Sequence, residues 1–172
     1  MFEVGEYIIY GTKGVCIVAD IAPMHLDGMS DGALYYVLQP YHQSGSRIFV
    51  SVDNKKTIMR RILSKDEALS LINEMADISE LWIDNDKVRE EKYKECVRSC
   101  DCRELVRIIK TLYMRRIKRL KEGKKITATD ERYLRIAREQ LYSELSIPLD
   151  VPVKDMEQYI AEKIEGSKIG SV

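Results

Sequence analysis

The stretch Arg60-Arg61-Ile62-Leu63-Ser64-Lys65-Asp66-Glu67 marks the point at which the pattern of this sequence changes. Ser64 and Glu67 have the spacing of a capping box, in which the two side chains bond the free N–H groups at a helix start. Apolar residues then recur at helical spacing, at Leu69, Ile72 and Met75. This pattern predicts a helix over 65–77. Residues before the stretch have strand patterns and residues after it have helical ones.

The segment before the stretch contains apolar, β-branched and aromatic runs separated by turn residues. These runs predict strands over 4–11, 15–21, 33–40 and 47–52, with a short fifth strand over 57–62. Glycine-rich turns separate them, including a loop over 27–32. Strands spaced in this way, with no helix between them, are typical of a small antiparallel barrel or a rolled sheet.

The segment after the stretch predicts a series of helices. They cover 87–98, 101–122, a helix capped by Thr127 or Thr129, and 153–165. Asp101 and Glu104 have the spacing of a second capping box. The buried stripe predicted for the helix 101–122 is Leu105, Ile108, Ile109, Leu112, Tyr113 and Leu120. Ile147-Pro148 predicts a break in the chain, and Gly166 predicts the end of the last helix.

The order of the elements, β first and α after, favours an α+β protein with two small domains over one α/β sheet. We expect a β-rich domain over 1–60, a helical domain over 61–166 and a flexible tail over 167–172.

Charge is distributed unevenly along the chain. The formal net charge is zero, and 33% of the residues are charged. Residues 1–58 carry four Lys/Arg against six Asp/Glu, whereas residues 99–125 carry ten Lys/Arg against three Asp/Glu. A local excess of this size predicts either a phosphate-binding face or a solvated helix face.

Several classes of protein are not expected. The first residues are acidic with no apolar run, which argues against a signal peptide, and no run is long enough to span a membrane. The four cysteines, without a nearby histidine, predict reduced thiols and no metal site. No catalytic constellation is present, so we expect a non-enzymatic protein without a cofactor.

The only tryptophan, Trp82, lies in the segment 77–89 between two predicted helices. A lone tryptophan is often buried in the core, because burial of its large ring is favourable. Acidic and amide residues surround this one, and Lys87, Arg89 and Lys92 follow within two turns. The sequence leaves two interpretations open, a core residue or a contact residue.

Fragments throughout the chain resemble the CarD/CdnL family of bacterial transcription regulators. The fragments are Met1–Tyr10 with Gly14-Val15, Tyr35-Tyr36-Val37-Leu38, Val50–Asn54, the Trp82 segment, Arg103-Glu104-Leu105-Val106-Arg107, Leu112-Tyr113, Thr129-Asp130-Glu131-Arg132 with Ala137, and Ser143-Glu144-Leu145. The resemblance implies a Tudor-like β-module that docks on the β subunit of RNA polymerase. It also implies a helical domain that contacts promoter DNA near the upstream edge of the −10 element. The protein would be cytoplasmic and bacterial, associated with the nucleoid through polymerase.

The resemblance implies that Trp82 wedges into the minor groove, with little sequence specificity, and stabilises the open complex. Lys87, Arg89 and Lys92 would neutralise phosphates, as would Arg103, Arg107, Lys110, Lys118, Lys121, Lys124 and Lys125 on the basic helix and its following loop. Some branches of the family have arginine and isoleucine at the positions that contact polymerase. This chain has Met24, Leu26 and Phe49 at those positions. Arg47, on the same predicted strand face as Phe49, is expected to replace the lost charge.

Three other interpretations remain. The first is a polymerase- or protein-binding adaptor without DNA contact, in which the basic helix is only solvated. The second is a sequence-specific DNA-binding protein, although no helix-turn-helix or dimer seam is evident. The third is an enzyme, and it is disfavoured because helical glutamates beside lysines are ordinary surface charge. We expect the free protein to be a monomer.

Overall fold

The structure, a computed structural model, describes residues 1–24 and 32–169, with side chains through residue 166. The chain divides into two compact units, Met1–Ile62 and Leu63–Val172. The first contains a five-stranded antiparallel sheet and the second contains five helices. The predicted α+β class, with a β domain before an α domain, is confirmed.

The first unit is built from the five predicted strands. They are β1 (Tyr7–Tyr10), β2 (Val15–Pro23), β3 (Leu34–Pro40), β4 (Ile48–Ser51) and β5 (Met59–Arg61). All pairs are antiparallel, in the order β4-β3-β2-β1-β5, so β4 and β5 are the edges. The predicted loop 27–32 lies outside the described residues except for Gly32, whose φ of +87° favours glycine.

One face of the sheet forms the core of the first unit. Its buried residues are Ile8, Cys16, Val18, Tyr36, Leu38 and Val50. Phe2 packs on this face, with its ring centroid 5.6 Å from that of Tyr36. Between Val18 and Asp20 the register of β2 against β3 shifts, which is the mark of a bulge that increases local twist.

The second unit contains α1 (Lys65–Glu74), α2 (Arg89–Arg98), α3 (Cys102–Lys121), α4 (Ala128–Leu149) and α5 (Met156–Ile169). The capping box at the start of α1 is confirmed in both directions, because Ser64 Oγ accepts from the Glu67 N–H and Glu67 accepts from the Ser64 N–H. Thr127, one of the two predicted caps, accepts from the Asp130 N–H at the start of α4.

Four local predictions were wrong. Asp101 caps α3 alone, because the Glu104 carboxylate binds Arg107 instead of bonding back. Tyr113 and Leu120 are 51% and 56% exposed, because the apolar periodicity of α3 continues past Leu112, its last buried leucine. Pro148 lies within the last turn of α4, which ends one residue later. α5 passes through Gly166 and continues to Ile169, so it includes the first three residues of the predicted flexible tail.

The helical unit has one apolar core to which every helix contributes. Its most deeply buried side chains include Tyr93, Leu105, Ile108, Leu112, Leu141, Leu145 and Met156. Each fully buried leucine or isoleucine contributes about 1.5–3 kcal/mol relative to an exposed one. A buried carboxylate, Glu144, accepts hydrogen bonds from the Leu63 N–H at 3.0 Å and from the Cys102 thiol at 3.2 Å. Glu144 thereby fixes the first residue of the unit against α4.

Candidate nucleic-acid and protein interfaces

Trp82 projects from the extended segment that joins α1 to α2. Its side chain is 85% exposed. The neighbouring Ile78, Leu81 and Ile83 are partly buried against the helical core. The aliphatic side chains therefore hold the segment against the core, and the indole of Trp82 is left in solvent. The sequence left two interpretations open, and this exposure excludes the one in which Trp82 is a core residue of the helical unit.

The start of the Trp82 segment is fixed by Lys110 of α3. Its ammonium group donates to the carbonyl oxygens of Met75 at 2.9 Å, Ala76 at 3.1 Å and Ile78 at 2.6 Å. These three bonds use the full donor capacity of a lysine. They also satisfy carbonyl groups just beyond the C-terminal end of α1, where a cation is electrostatically favourable. Lys110 is therefore committed to holding the segment.

The middle of the segment is fixed to the next turn of α3. The Leu81 N–H donates to Thr111 Oγ1 at 2.8 Å, and the Thr111 hydroxyl donates to the Arg107 carbonyl oxygen at 2.7 Å. Arg107 Nε donates to the Ser79 carbonyl oxygen at 3.4 Å. Both backbone contacts lie within three residues of Trp82, so the indole leaves the chain from an anchored position.

The end of the segment is fixed by a network of charges. Asp86 accepts from Arg89 at 2.8 Å and lies 3.7 Å from Arg115. Arg115 pairs with the buried Asp130 of α4 at 2.8 Å, and Tyr93 donates to the same carboxylate at 3.3 Å. Hydrogen bonding from Arg89, and the positive charges of Arg89 and Arg115, hold the pKa of Asp86 below its usual value. The network joins the segment to three helices.

The predicted phosphate-binding residues divide into two groups. The first group is engaged within the protein. Arg89 belongs to the network above, Lys92 pairs with Glu95, Arg103 with Glu74, Arg107 with Glu104, Lys110 with three carbonyl groups, and Lys124 with Glu122. Lys92, Arg103 and Lys124 remain well exposed, and exposed ion pairs are weak enough to exchange for a phosphate.

The second group has free side chains. Within residues 1–24 and 32–166, Lys87, Lys118, Lys121 and Lys125 are exposed and make no side-chain hydrogen bond or ion pair, and the same holds for Arg116, which was not predicted as a site residue. Lys118 is three residues beyond Arg115, which corresponds to about 4.5 Å along the axis of α3. The Leu81 N–H bonds to Thr111 and Asp86 forms an ion pair with Arg115, so the backbone on both sides of Trp82 is held against the second half of α3.

The predicted polymerase-binding residues lie on the first unit. Phe49 is on the edge strand β4, opposite Val37, and is 50% exposed. The Met24 N–H extends the β2–β3 ladder by bonding the Ala33 carbonyl oxygen at 3.2 Å. By the alternation of side chains, Met24 and Phe49 share the sheet face opposite the core. Arg47 is exposed immediately before β4, and Leu26 lies outside the described residues.

The thiols offer no reactive centre in the described part of the chain. All four cysteines are free and buried. Burial raises the pKa of Cys16 to about 11, and burial together with the bond to Glu104 raises the pKa of Cys96 to about 12. No cluster of three metal-ligating side chains occurs among the described residues. In the same part of the chain, no helix has the length and apolar character needed to cross a membrane.

Sequence reasoning missed the residues that hold the Trp82 segment. Arg115, Tyr93 and Asp130 are separated by up to 37 residues along the chain. A carboxylate such as Asp130 near a helix start is usual in any exposed helix, so nothing local indicates that it is buried. The roles of these residues depend on how α2, α3 and α4 pack.

The β unit thus carries an exposed aromatic side chain on its edge strand, and the helical unit carries exposed cations. Residues 2–63 match the family model of the CarD-like/TRCF RID domain, so the first unit belongs to that domain family. The match covers 62 of the 172 residues. This domain is an interaction domain and is not catalytic. No curated protein matches the chain.

Proposed function

We propose that the chain docks on the β subunit of RNA polymerase through its β unit and stabilises the open promoter complex through its helical unit. The helical unit contacts promoter DNA near the upstream edge of the −10 element, where Trp82 enters the minor groove. The proposal is supported above all by one observation, the 85% exposure of Trp82 on a segment that is anchored on both sides of it.

The physical basis of the proposal is differential binding. Promoter opening is an equilibrium, and a protein that binds the open state more tightly shifts it by the ratio of the two affinities. An aromatic ring interacts well with a base step only when that step is unstacked, as apolar wedges do in architectural proteins. An anchored segment also reduces the entropy lost when the ring inserts. Trp82 therefore stabilises the open state and leaves the closed duplex nearly unaffected.

The free cations hold the register of the protein on DNA. Lys87, Lys118, Lys121 and Lys125 neutralise phosphates without reading the sequence. Each phosphate contact adds nearly one unit to the salt dependence of binding. Because the net charge of the whole chain is zero, affinity for free DNA is low, and polymerase raises the local concentration of the helical unit. The protein acts as a monomer without a cofactor, in the bacterial cytoplasm, at polymerase on the nucleoid.

The β unit supplies the polymerase contact. Phe49 presents an aromatic side chain on an edge strand, and Met24 and Arg47 flank the same sheet face. An exposed edge strand with an apolar side chain is a common site for strand addition by a partner. Leu26 was predicted for the same contact and stays part of the proposal.

A footprint on promoter DNA tests the proposal against the adaptor alternative. Polymerase holoenzyme on a promoter is digested with and without the protein, and with the double variant Lys118→Glu/Lys125→Glu. We expect the protein to extend protection at the upstream edge of the −10 element, and the variant to lose that protection while it still copurifies with polymerase. Protection that is unchanged by the protein would support an adaptor without DNA contact.

A further inference from the structure

The second half of α3 carries an apolar strip that has no cover within the described part of the chain. The strip consists of Tyr113, Ile117 and Leu120. Tyr113 is 51% exposed, Leu120 is 56% exposed and Ile117 is partly exposed. Two turns earlier along the same face, Val106 is only 4% exposed, because there the helix packs into the core. The strip is therefore the continuation of a buried face beyond the end of its internal cover.

A cation lies on each side of the strip. At about 100° per residue, Tyr113, Ile117 and Leu120 lie within roughly 60° of one another around the helix. Arg116 lies roughly 40° to one side and Lys121 roughly 40° to the other. Both side chains are exposed and have no carboxylate partner in the part of the chain that the structure describes. The surface is thus an apolar centre with one exposed cation on each side.

The charge of the surroundings limits what can cover the strip. Residues 113–125 contain seven lysines and arginines against one acid, Glu122. A second copy of the same surface would bring like charges together, which is unfavourable. DNA phosphates would satisfy the cations but would leave the aliphatic side chains against a highly charged backbone. An acidic polypeptide with apolar side chains on one face satisfies both features.

We propose that the α3 apolar strip binds an acidic, amphipathic segment of the RNA polymerase holoenzyme. The proposal rests on the proposed function and adds a second protein contact, made by the helical unit. Three apolar side chains over two helical turns form a small interface, weak by itself. It becomes effective when the β unit already holds the protein on polymerase, since the second contact is then intramolecular. This contact fixes the orientation of α3, and with it Lys118, Lys121 and Trp82.

Site-specific photocrosslinking tests the contact. The photoreactive residue p-benzoylphenylalanine replaces Ile117, or Leu120, or the exposed Arg135 of α4 as a control. The full chain is bound to polymerase holoenzyme on promoter DNA and irradiated, and the crosslinked partner is mapped by mass spectrometry. We expect crosslinks from positions 117 and 120 to one acidic polypeptide segment of the holoenzyme, and none there from position 135.

Every other result overturns the inference. Crosslinks to DNA would assign the strip to the nucleic-acid interface, and crosslinks to a second copy or to the β unit of the same chain would assign it to the protein itself. The proposed function is measured separately, by copurification and by the footprint. If both persist while the strip gives no crosslink to the holoenzyme, only this inference fails. If copurification also fails, both are overturned.

Substitution in the strip provides a second test. Leu120→Glu repels an acidic partner, whereas Leu120→Gln removes the apolar contact without adding charge. We expect Leu120→Glu to weaken binding to the holoenzyme roughly five- to tenfold, and Leu120→Gln to weaken it less. Because Leu120 is 56% exposed, both variants should melt at the parent temperature. Equal affinity of the parent and Leu120→Glu for the holoenzyme would contradict the inference.

Discussion

The ammonium group of Lys110 donates a hydrogen bond to the backbone carbonyl oxygen of Ile78 at 2.6 Å. Together with its bonds to Met75 and Ala76, it closes the end of α1 and sets the direction in which the chain leaves that helix. Trp82 is four residues further along. The charge pattern assigns Lys110 to phosphate binding, whereas its hydrogen bonds fix the backbone from which Trp82 projects.

Lys110→Met should destabilise the helical unit while Lys118→Met should not. Methionine keeps the length of the side chain but leaves three carbonyl groups without their charged donor. Hydrogen bonds to charged groups contribute about 1.5–3 kcal/mol, and partial hydration of the carbonyl groups lowers the loss to about 1–3 kcal/mol. Urea unfolding of both variants measures the difference. Equal free energies of unfolding would show that the Lys110 bonds do not hold the segment.

Asp130→Asn should be among the most costly single changes in the charge network. Asp130 is 5% exposed, and its loss leaves the partly buried Arg115 without its main partner. Breaking a buried pair typically costs about 3–5 kcal/mol, and the partial exposure of Arg115 lowers this to roughly 2–4 kcal/mol. Glu139→Gln breaks an exposed pair on the same helix and should cost under about 0.5 kcal/mol. Thermal unfolding monitored by circular dichroism compares them, and similar melting temperatures would contradict the prediction.

Asp86→Asn should lower stability at neutral pH and lose its effect in acid. The pKa of Asp86 is lowered in the folded state by Arg89 and Arg115, so the ionised carboxylate favours folding. That contribution is complete above the ordinary carboxyl pKa near 3.8 and disappears as the pH falls through the lowered value. Unfolding of parent and variant at pH 7, 5 and 3 measures the difference between their free energies of unfolding. We expect this difference to decrease towards pH 3, and a difference that is constant over this range would refute the linkage.

Local patterns were sufficient to predict most elements of the fold. The apolar runs predicted all five strands, and the spacing of Ser64 and Glu67 predicted the start of α1. These features depend on residues a few positions apart. The exposure of Tyr113 and Leu120 could not be predicted in the same way. The apolar periodicity of α3 is unbroken, and only the packing of neighbouring helices determines where its cover ends.

The candidate site was less predictable than the fold. The cations of α3 have the same chemistry in the sequence, yet Lys110 bonds to residues 32 to 35 positions away and Lys118 bonds to none in the described part of the chain. Long-range partners of this kind follow from tertiary structure. Charge counting therefore identified the helix richest in cations and overestimated how many of them are free.

Phe49→Asp should weaken binding to polymerase, and Ile58→Asp should not. Phe49 is 50% exposed on the edge strand β4, and Ile58 is 45% exposed beside β5, the opposite edge. The two changes are matched in chemistry and exposure, so both variants should fold. Loss of an exposed aromatic contact at a protein interface costs about 2 kcal/mol or more, which is a roughly thirtyfold weaker affinity. Affinity for the isolated polymerase β subunit is measured for the parent and both variants. An equal loss of affinity in the two variants would refute docking through β4.

The lifetime of the open complex tests the central claim most directly. Trp82→Ala removes a side chain that is 85% exposed, so the free energy of unfolding should change by less than about 0.5 kcal/mol. The lifetime is measured after a competitor challenge, with the parent, Trp82→Ala and Trp82→Phe at saturating concentration. We expect the parent to prolong the lifetime, the phenylalanine variant to keep part of the effect, and the alanine variant to lose most of it. An alanine variant that is folded, binds polymerase and prolongs the lifetime as the parent does would contradict the role of Trp82 as the wedge.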